Sequence, residues 1–329
     1  MPVSTYRTNR AIPGMTHTQH PGAPTGSAPL LQRLTSTVPK ELVHRASIAE
    51  VLLTDWARSS AHHFVLAAQW PRGHSFYTPI DGCHDPLIAA ETIRQAGLLL
   101  AHTEYHVPLG HHFLLHHLDV STRPAHMRMT ATPATLELHV HVHDIKERRG
   151  EVTGLRIDVA IHRDGHLAAT GGGTLTCIAP RIHQRLRGMQ NPDTLPVLPL
   201  TAPEPPQKVG RTSPTDVVLS PLPEPHHWQL RIDTRHPTLF DHPLDHAPGM
   251  LLIEAARQAT TATLGHPTHP HTITTHFHHY VELHTPCTIK ARPTNGTIPH
   301  GDTRSILVTA QQNGADVFHC TLTTTPPHA

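Results

Sequence analysis

Two stretches of the chain are apolar almost all round a helical repeat, PLIAAETIRQAGLLLAH from Pro86 and PGMLLIEAARQATTATLG from Pro248. Each predicts a long buried helix, at about 85 to 103 and 248 to 264, with no face left for solvent. Proline at the first helical position suits both starts, because the amide it lacks would have no partner there. After each helix come segments in which apolar and polar residues alternate: LRIDVAIH and HLAATGGGTLTC about Asp164-Gly165, SILVTAQQ and ADVFHCTLTTT about Asn313-Gly314. Period-two alternation on both sides of Asp-Gly or Asn-Gly predicts antiparallel hairpins with two-residue turns. Two regions carry no such period. Residues 1 to 35, rich in Pro, Gly, Ser and Thr, predict a disordered lead-in, and 189 to 215, with seven prolines, predicts a linker. The expected folded units are 36 to 188 and 216 to 329.

The two units are related to each other. A shift of 163 residues lays Glu91, Arg94, Gln95 and Ala96 on Glu254, Arg257, Gln258 and Ala259, and at the same shift Arg72 falls on Arg235, Phe76 on Leu239, Tyr77 on Phe240 and Leu87 on Met250. So many ungapped coincidences imply a tandem duplication. Each half reads strand, one long helix, then several antiparallel strands. One helix wrapped by a curved antiparallel sheet is the hotdog arrangement, so the expected fold class is α+β, a double hotdog forming a pseudo-dimer within one chain that could assemble further.

Composition narrows the function. Of 329 residues, 26 are Lys or Arg and 25 Asp or Glu, a balance that offers no basic field for a nucleic acid. Cys83, Cys177, Cys287 and Cys320 lie 94, 110 and 33 residues apart, which fits neither a zinc knuckle nor a compact disulfide framework and predicts reduced thiols. The longest apolar stretches are interrupted by charge and the N-terminus has no apolar segment, so neither a membrane span nor a signal peptide is expected and the predicted location is cytoplasmic. With 35 histidines in the chain, a histidine near a motif is weak evidence by itself. That discount applies to His139, His141 and His143 (LHVHVHD), which share one face of a strand at a spacing that suits either a metal or plain solvation, and a solvated face without metal is the expectation.

The candidate chemistry sits on the helices. Glu254 among Met250 to Ala255 loses hydration that a partner or a function must offset, and Arg257 at i+3 is the nearest partner. Glu91 and Arg94 repeat the spacing. A buried ion pair that only fixes the helix explains both as well as catalysis does. Helix one has Asp85 as an N-cap, whereas helix two has Ala247 there and Gly249 inside, so the amides of Gly249 and Met250 are candidate carbonyl donors unless His246 caps them. His242 precedes Glu254 by 12 residues in FDHPLDHAPGMLLIEAARQ, and the first half has Pro79 in its place. This arrangement resembles the signature of the β-hydroxyacyl carrier-protein dehydratases, about two residues short. By analogy with hotdog dimers, which combine histidine and acid from opposite partners, His242 would face Glu91, and His74 or His84 would face Glu254.

The segments LVHRASIAEVLLTDW, AAQWPRGHSFYTP, HDPLIAAETIRQAGLLLAH and FDHPLDHAPGMLLIEAARQA resemble the A-factor biosynthesis (AfsA-type) family over roughly 40 to 120 and 225 to 285. The resemblance implies a γ-butyrolactone autoregulator synthase, transferring a β-ketoacyl chain from an acyl carrier protein to the hydroxyl of dihydroxyacetone phosphate. It carries acidic and basic motif positions onto Glu91, Arg94, Glu254 and Arg257. On that reading Glu254 is the base, Gly249 and Met250 supply carbonyl donors, Arg257 faces the acceptor phosphate, and Arg72, like Arg235, could reach the carrier's phosphopantetheine phosphate. No cofactor is implied beyond that carrier arm. The competing expectations are a thioesterase or dehydratase acting on a carrier-bound chain, and a non-catalytic regulator that binds an acyl ligand.

Overall fold

The computed structural model describes residues 36–188, 196–294 and 303–324; the expected lead-in lies outside them, as does the 189–195 part of the expected linker. One antiparallel sheet of 12 strands runs through both halves in the order β1-β2-β4-β5-β6-β3-β9-β12-β11-β10-β8-β7. The first half contributes β1 (Leu53–Ser60), β2 (His63–Trp70), β3 (His112–Thr122), β4 (Ala134–Arg148), β5 (Glu151–Arg163) and β6 (His166–Ile178). The second contributes β7 (Leu219–Pro221), β8 (His227–Leu230), β9 (Pro270–Phe277), β10 (Cys287–Pro293), β11 (Arg304–Gln312) and β12 (Ala315–Thr324). Read outward from the join, the two halves have the same strand order, so the duplication inferred from sequence is a duplication of topology.

Helix α1 (Pro86–Thr103) packs on β1, β2, β3 and β6, and α3 (Gly249–Leu264) on β7 and β9 to β12. Burial explains the apolar run: within α1 only Arg94 and Thr103 escape full burial. Asp85 caps α1 by accepting the Leu87 amide at 2.9 Å. In α3 Pro248 is the capping residue and not the first helical one, and no side chain caps the helix. A short helix, α2 (Pro180–Arg187), follows β6. Both predicted hairpins form, with β5 on β6 and β11 on β12; Asp164, Gly165, Asn313 and Gly314 all have positive φ, as the tight primed turn requires.

The halves join where β3 pairs with β9, His117 opposite His276 through Ser121 opposite Thr272. Thr275 Oγ1 adds a side-chain link there, donating to the Leu118 carbonyl at 2.7 Å and accepting the Leu118 amide at 3.2 Å. Residues 196–215 do not behave as the expected linker. Pro206–Val209 forms a 3-10 turn, Glu204 is buried and accepts from Trp228 Nε1, and Arg211 is buried against α3. Proline fixes an extended path here that packs on the second unit, which begins well before residue 216. Among the described residues no helix is long and apolar enough to cross a membrane.

Candidate active site

Each helix carries one ionic cluster, and each is completed by an arginine from the segment before its sheet. Glu91 is 1% exposed. Its Oε1 accepts from Arg45 Nε (3.0 Å), Arg94 Nη2 (2.8 Å) and Gln95 Nε2 (2.7 Å), and its Oε2 from Arg94 Nε (2.9 Å). Glu254 is wholly buried and repeats the pattern: Oε1 accepts from Arg211 Nε (2.8 Å), Arg257 Nη2 (2.6 Å) and Gln258 Nε2 (2.5 Å), Oε2 from Arg257 Nε (2.9 Å). Burial alone would raise both carboxyls. Arg45 with Arg94 in the first cluster, and Arg211 with Arg257 in the second, outweigh it and hold each at about 2.

A carboxylate held ionised by two guanidinium groups and a glutamine amide is a poor proton acceptor, which argues against either glutamate as a general base. For Glu254 the geometry favours an ion-pair role over the base expected from sequence, and for Arg257 it favours the same pair over a phosphate contact. Arg257 is 1% exposed and its fork is spent on Glu254. A buried ion pair is present in both helices.

Sequence reasoning missed Arg45 and Arg211. The signal was present at a shift of 166, not 163: Pro39, Val43, Arg45 and Ser47 fall on Pro205, Val209, Arg211 and Ser213. Each arginine also crosses to the other half, Arg45 Nη1 donating to the Thr238 carbonyl (3.1 Å) and Arg211 Nη1 to that of Phe76 (2.5 Å). The loop that receives them runs at yet another register. His74 Nδ1 accepts the amides of Phe76 and Tyr77, and His236 Nδ1 those of Thr238 and Leu239, so the matching shift there is 162.

The surroundings of the two clusters differ. Arg94 keeps 18% of its side chain exposed. Beside it His44 holds φ of 52°, where Gly210 occupies the matching place at 71°. His44 Nε2 lies 2.9 Å from His102 Nε2, and burial, then His102, Arg94 and His242, depress its pKa to about 3. His102 Nδ1 donates to the Val107 carbonyl at 2.7 Å, so His44 is the donor in the pair. His242 comes from the second half. Its Nδ1 bonds Asp241 at 2.6 Å, and Asp241 accepts the Ala46 amide and lies 3.6 Å from Arg45. His242 is thus linked to the Glu91 cluster through Asp241 and Arg45. Tyr77, buried against the same cluster, has a hydroxyl without a hydrogen-bond partner among the described residues, where the second cluster has Leu239.

The start of α3 meets both halves of the chain. Gly249 packs on Phe277 and Leu115. His246 does not cap the helix, because its Nδ1 bonds Asp245 at 2.5 Å and its ring meets Tyr280. Asp245 is also held by Arg187 of α2, and His183 of α2 stacks on His112 at 3.6 Å.

On the Glu254 side the matching place at the start of α1 belongs to Asp85, buried and electrostatically tied to Arg257 and Arg211. His74 and His84 do not reach Glu254. His74 pairs with Glu50 at 3.4 Å, and His84 packs on Trp70 with a pKa pushed down to about 4 by burial and then Arg163. Arg72 is exposed and no contact among the described residues joins it to either cluster, and Arg235 pairs with Asp233 at 2.9 Å.

Comparison with known proteins agrees with this duplicated layout. Residues 27–179 and 193–327 both match the family described as A-factor biosynthesis hotdog domain (AfsA). The chain is 48% identical over 292 residues to a 2-oxo-3-(phosphooxy)propyl 3-oxoalkanoate synthase of Streptomyces virginiae, covering 88% of this chain and 98% of that protein. It is 41% identical over 287 residues to a synthase of the same description from Streptomyces coelicolor, covering 87% and 90%. Among solved structures, the 12:0-ACP thioesterase from Umbellularia californica aligns with a TM-score of 0.48 at 10% identity, over 80% of this chain and 94% of that one.

Proposed function

The chain belongs to the A-factor biosynthesis hotdog family, and from that premise we propose that it joins a β-ketoacyl group to the hydroxyl of dihydroxyacetone phosphate. The product named for its relatives, a 2-oxo-3-(phosphooxy)propyl 3-oxoalkanoate, is an ester whose alcohol part is that phosphate. The observation that carries the placement of the site is the inequality of the two clusters. Arg94 keeps 18% of its side chain exposed against 2% for Arg257, and Arg94 and His242 both lie near His44.

In the proposed reaction Asp241 holds Nδ1–H of His242, so Nε2 is the basic nitrogen of the neutral ring. It takes the proton of the acceptor hydroxyl as the oxygen attacks the thioester carbonyl. The amides of Gly249 and Met250, backed by the α3 dipole, stabilise the oxyanion. Arg94 binds the acceptor phosphate with the part of its fork that Glu91 leaves. Collapse of the intermediate breaks the C–S bond, the thiolate regains the proton from His242, and the ester leaves. Glu91 and Arg45 position Arg94 and Asp241. No cofactor is used beyond the carrier's phosphopantetheine arm.

A carrier-bound donor is supported by α2, which exposes Ile182 (52%) and Leu186 (63%), each next to an exposed arginine, Arg181 and Arg185. That surface is complementary to an acidic protein with an apolar patch. The deciding experiment is mass spectrometry of products after incubation with a β-ketoacyl carrier protein and dihydroxyacetone phosphate. The phosphorylated ester is expected, and release of free β-keto acid alone would leave a thioesterase in its place. Arg181→Glu with Arg185→Glu should raise KM for the carrier-bound donor and leave a small-molecule thioester unaffected.

A further inference from the structure

Far from the helix clusters, the outer face of the first unit's sheet gathers imidazoles that the proposed reaction does not use. We propose that His141, His143 and Asp158 form a binding site for a divalent transition metal of the zinc type. One ligand atom from each lies within 4.8 Å of the others. The two histidines alternate along β4 and so point the same way, and β5 places Asp158 directly opposite His141.

Two features build the site beyond mere proximity. His143 is oriented from behind, its Nδ1 lying 3.4 Å from the Asp144 carboxylate while its Nε2 bonds Asp158 Oδ2 at 3.0 Å. A carboxylate behind a ligating imidazole fixes the ring and its tautomer, as in carboxylate–histidine–metal sets. On the other side of Asp158, β6 presents Gly172, where any Cβ would come within 3.0 Å of Asp158 Oδ1. The missing side chain gives the carboxylate its room, and Asp158 and His141 line a groove of about 490 Å³ together with His63, Asp119 and Thr170.

Bonds of about 2.0–2.2 Å to nitrogen and oxygen would draw the three ligand atoms to roughly 3.3 Å apart, a closure that side-chain rotation can supply. Two imidazoles and one carboxylate with a position open to the groove suit zinc or its neighbours; calcium and magnesium demand more oxygen. The third histidine of the run is not a ligand: His139 Nε2 bonds Glu137 at 2.7 Å. Arg156 Nε, 3.5 Å from Asp158 Oδ1, holds the carboxylate oxygen turned away from His143.

The test titrates zinc into chelator-stripped full-length protein against a micromolar indicator, with cobalt absorption as the second readout. One equivalent of zinc should compete with the indicator, and cobalt should give the visible bands of a low-symmetry site. His141→Gln with His143→Gln, and separately Asp158→Asn, should weaken this binding by more than the roughly 10- to 100-fold that loss of an outer partner costs. His139→Gln should leave it intact. Equal binding by all four proteins, or none by the unaltered chain, would overturn the site. Circular dichroism on each variant guards against misfolding, and the conservative Asp158→Asn change keeps the test decisive if the double variant does not fold.

Discussion

At the Glu254 cluster two arginines, a glutamine and an aspartate close on one another, all of them buried. At the Glu91 cluster the same glutamate, arginine pair and glutamine recur, yet Arg94 is open, a histidine replaces a glycine beside it, and the aspartate is exchanged for a His242–Asp241 pair lent by the other half. On the proposed function, the shared core of the motif is a structural device and what differs around it marks the place for chemistry. His44 supports the distinction. A non-glycine residue held at positive φ costs on the order of 1–3 kcal/mol, and the second half avoids that cost with Gly210.

The largest expected effect breaks the two sides apart. His242→Gln should lower kcat roughly 100- to 10,000-fold, the span of general base catalysis, with melting unchanged. Asp85→Asn on the opposite side should instead act on stability; a loss of activity as large as that of His242→Gln, measured at equal folded concentration, would remove the ground for choosing one cluster.

Next in size are the glutamates, where the clusters should behave alike. Glu254→Gln leaves two buried guanidinium groups without a counter-charge and should cost about 3–5 kcal/mol in a denaturant titration. Specific activity of the folded fraction should hold. Glu91→Gln should cost a similar amount and also impair turnover, because Arg94 loses its anchor. Both carboxyls fall from the ordinary 4.5 to about 2 on folding, so each stabilises the protein fully above pH 4.5 and loses that contribution as pH falls toward 2. Acid unfolding of either Gln variant should therefore show a shallower slope between those values.

How much of this was legible in the sequence follows from the same residues. Helix limits, hairpin turns and the Glu–Arg repeat were all readable, because each is written in short-range pattern: Glu91 and Arg94 stand one turn apart. Arg45 and Arg211 were not read, since their distance to the glutamates is closed only by folding and three residues of slippage hide their correspondence. The prolines from 196 to 215 misled in the same way, because composition reports stiffness and not what the stiff segment packs against. Exposure separates Arg94 from Arg257, and no local pattern encodes it.

Arg94→Lys tests that separation at a smaller scale. Keeping the charge while losing the planar fork should raise KM for dihydroxyacetone phosphate about 10- to 100-fold and leave hydrolysis of the thioester by water unchanged. Arg257→Lys should alter melting and not KM; the reverse assignment would return the phosphate to the second half. The smallest effect is expected from His44→Gly. Relief of the left-handed backbone and loss of the contacts with His102 and Phe113 oppose each other, so stability should move by less than about 1 kcal/mol while kcat/KM falls several-fold.

The pairing of β3 with β9 has a consequence for how such a molecule can change over time. In a dimer of identical chains every substitution is made twice, and a mutation that improves one pocket is imposed on its mate. Here the two halves share one continuous sheet but not one stretch of coding sequence, so each can drift alone while the other keeps the sheet in place. One cluster can be closed in with an aspartate and a glycine, the other bordered by two histidines. A single gene thus has two unequal rooms to furnish, a liberty that a symmetric assembly of separate chains does not have.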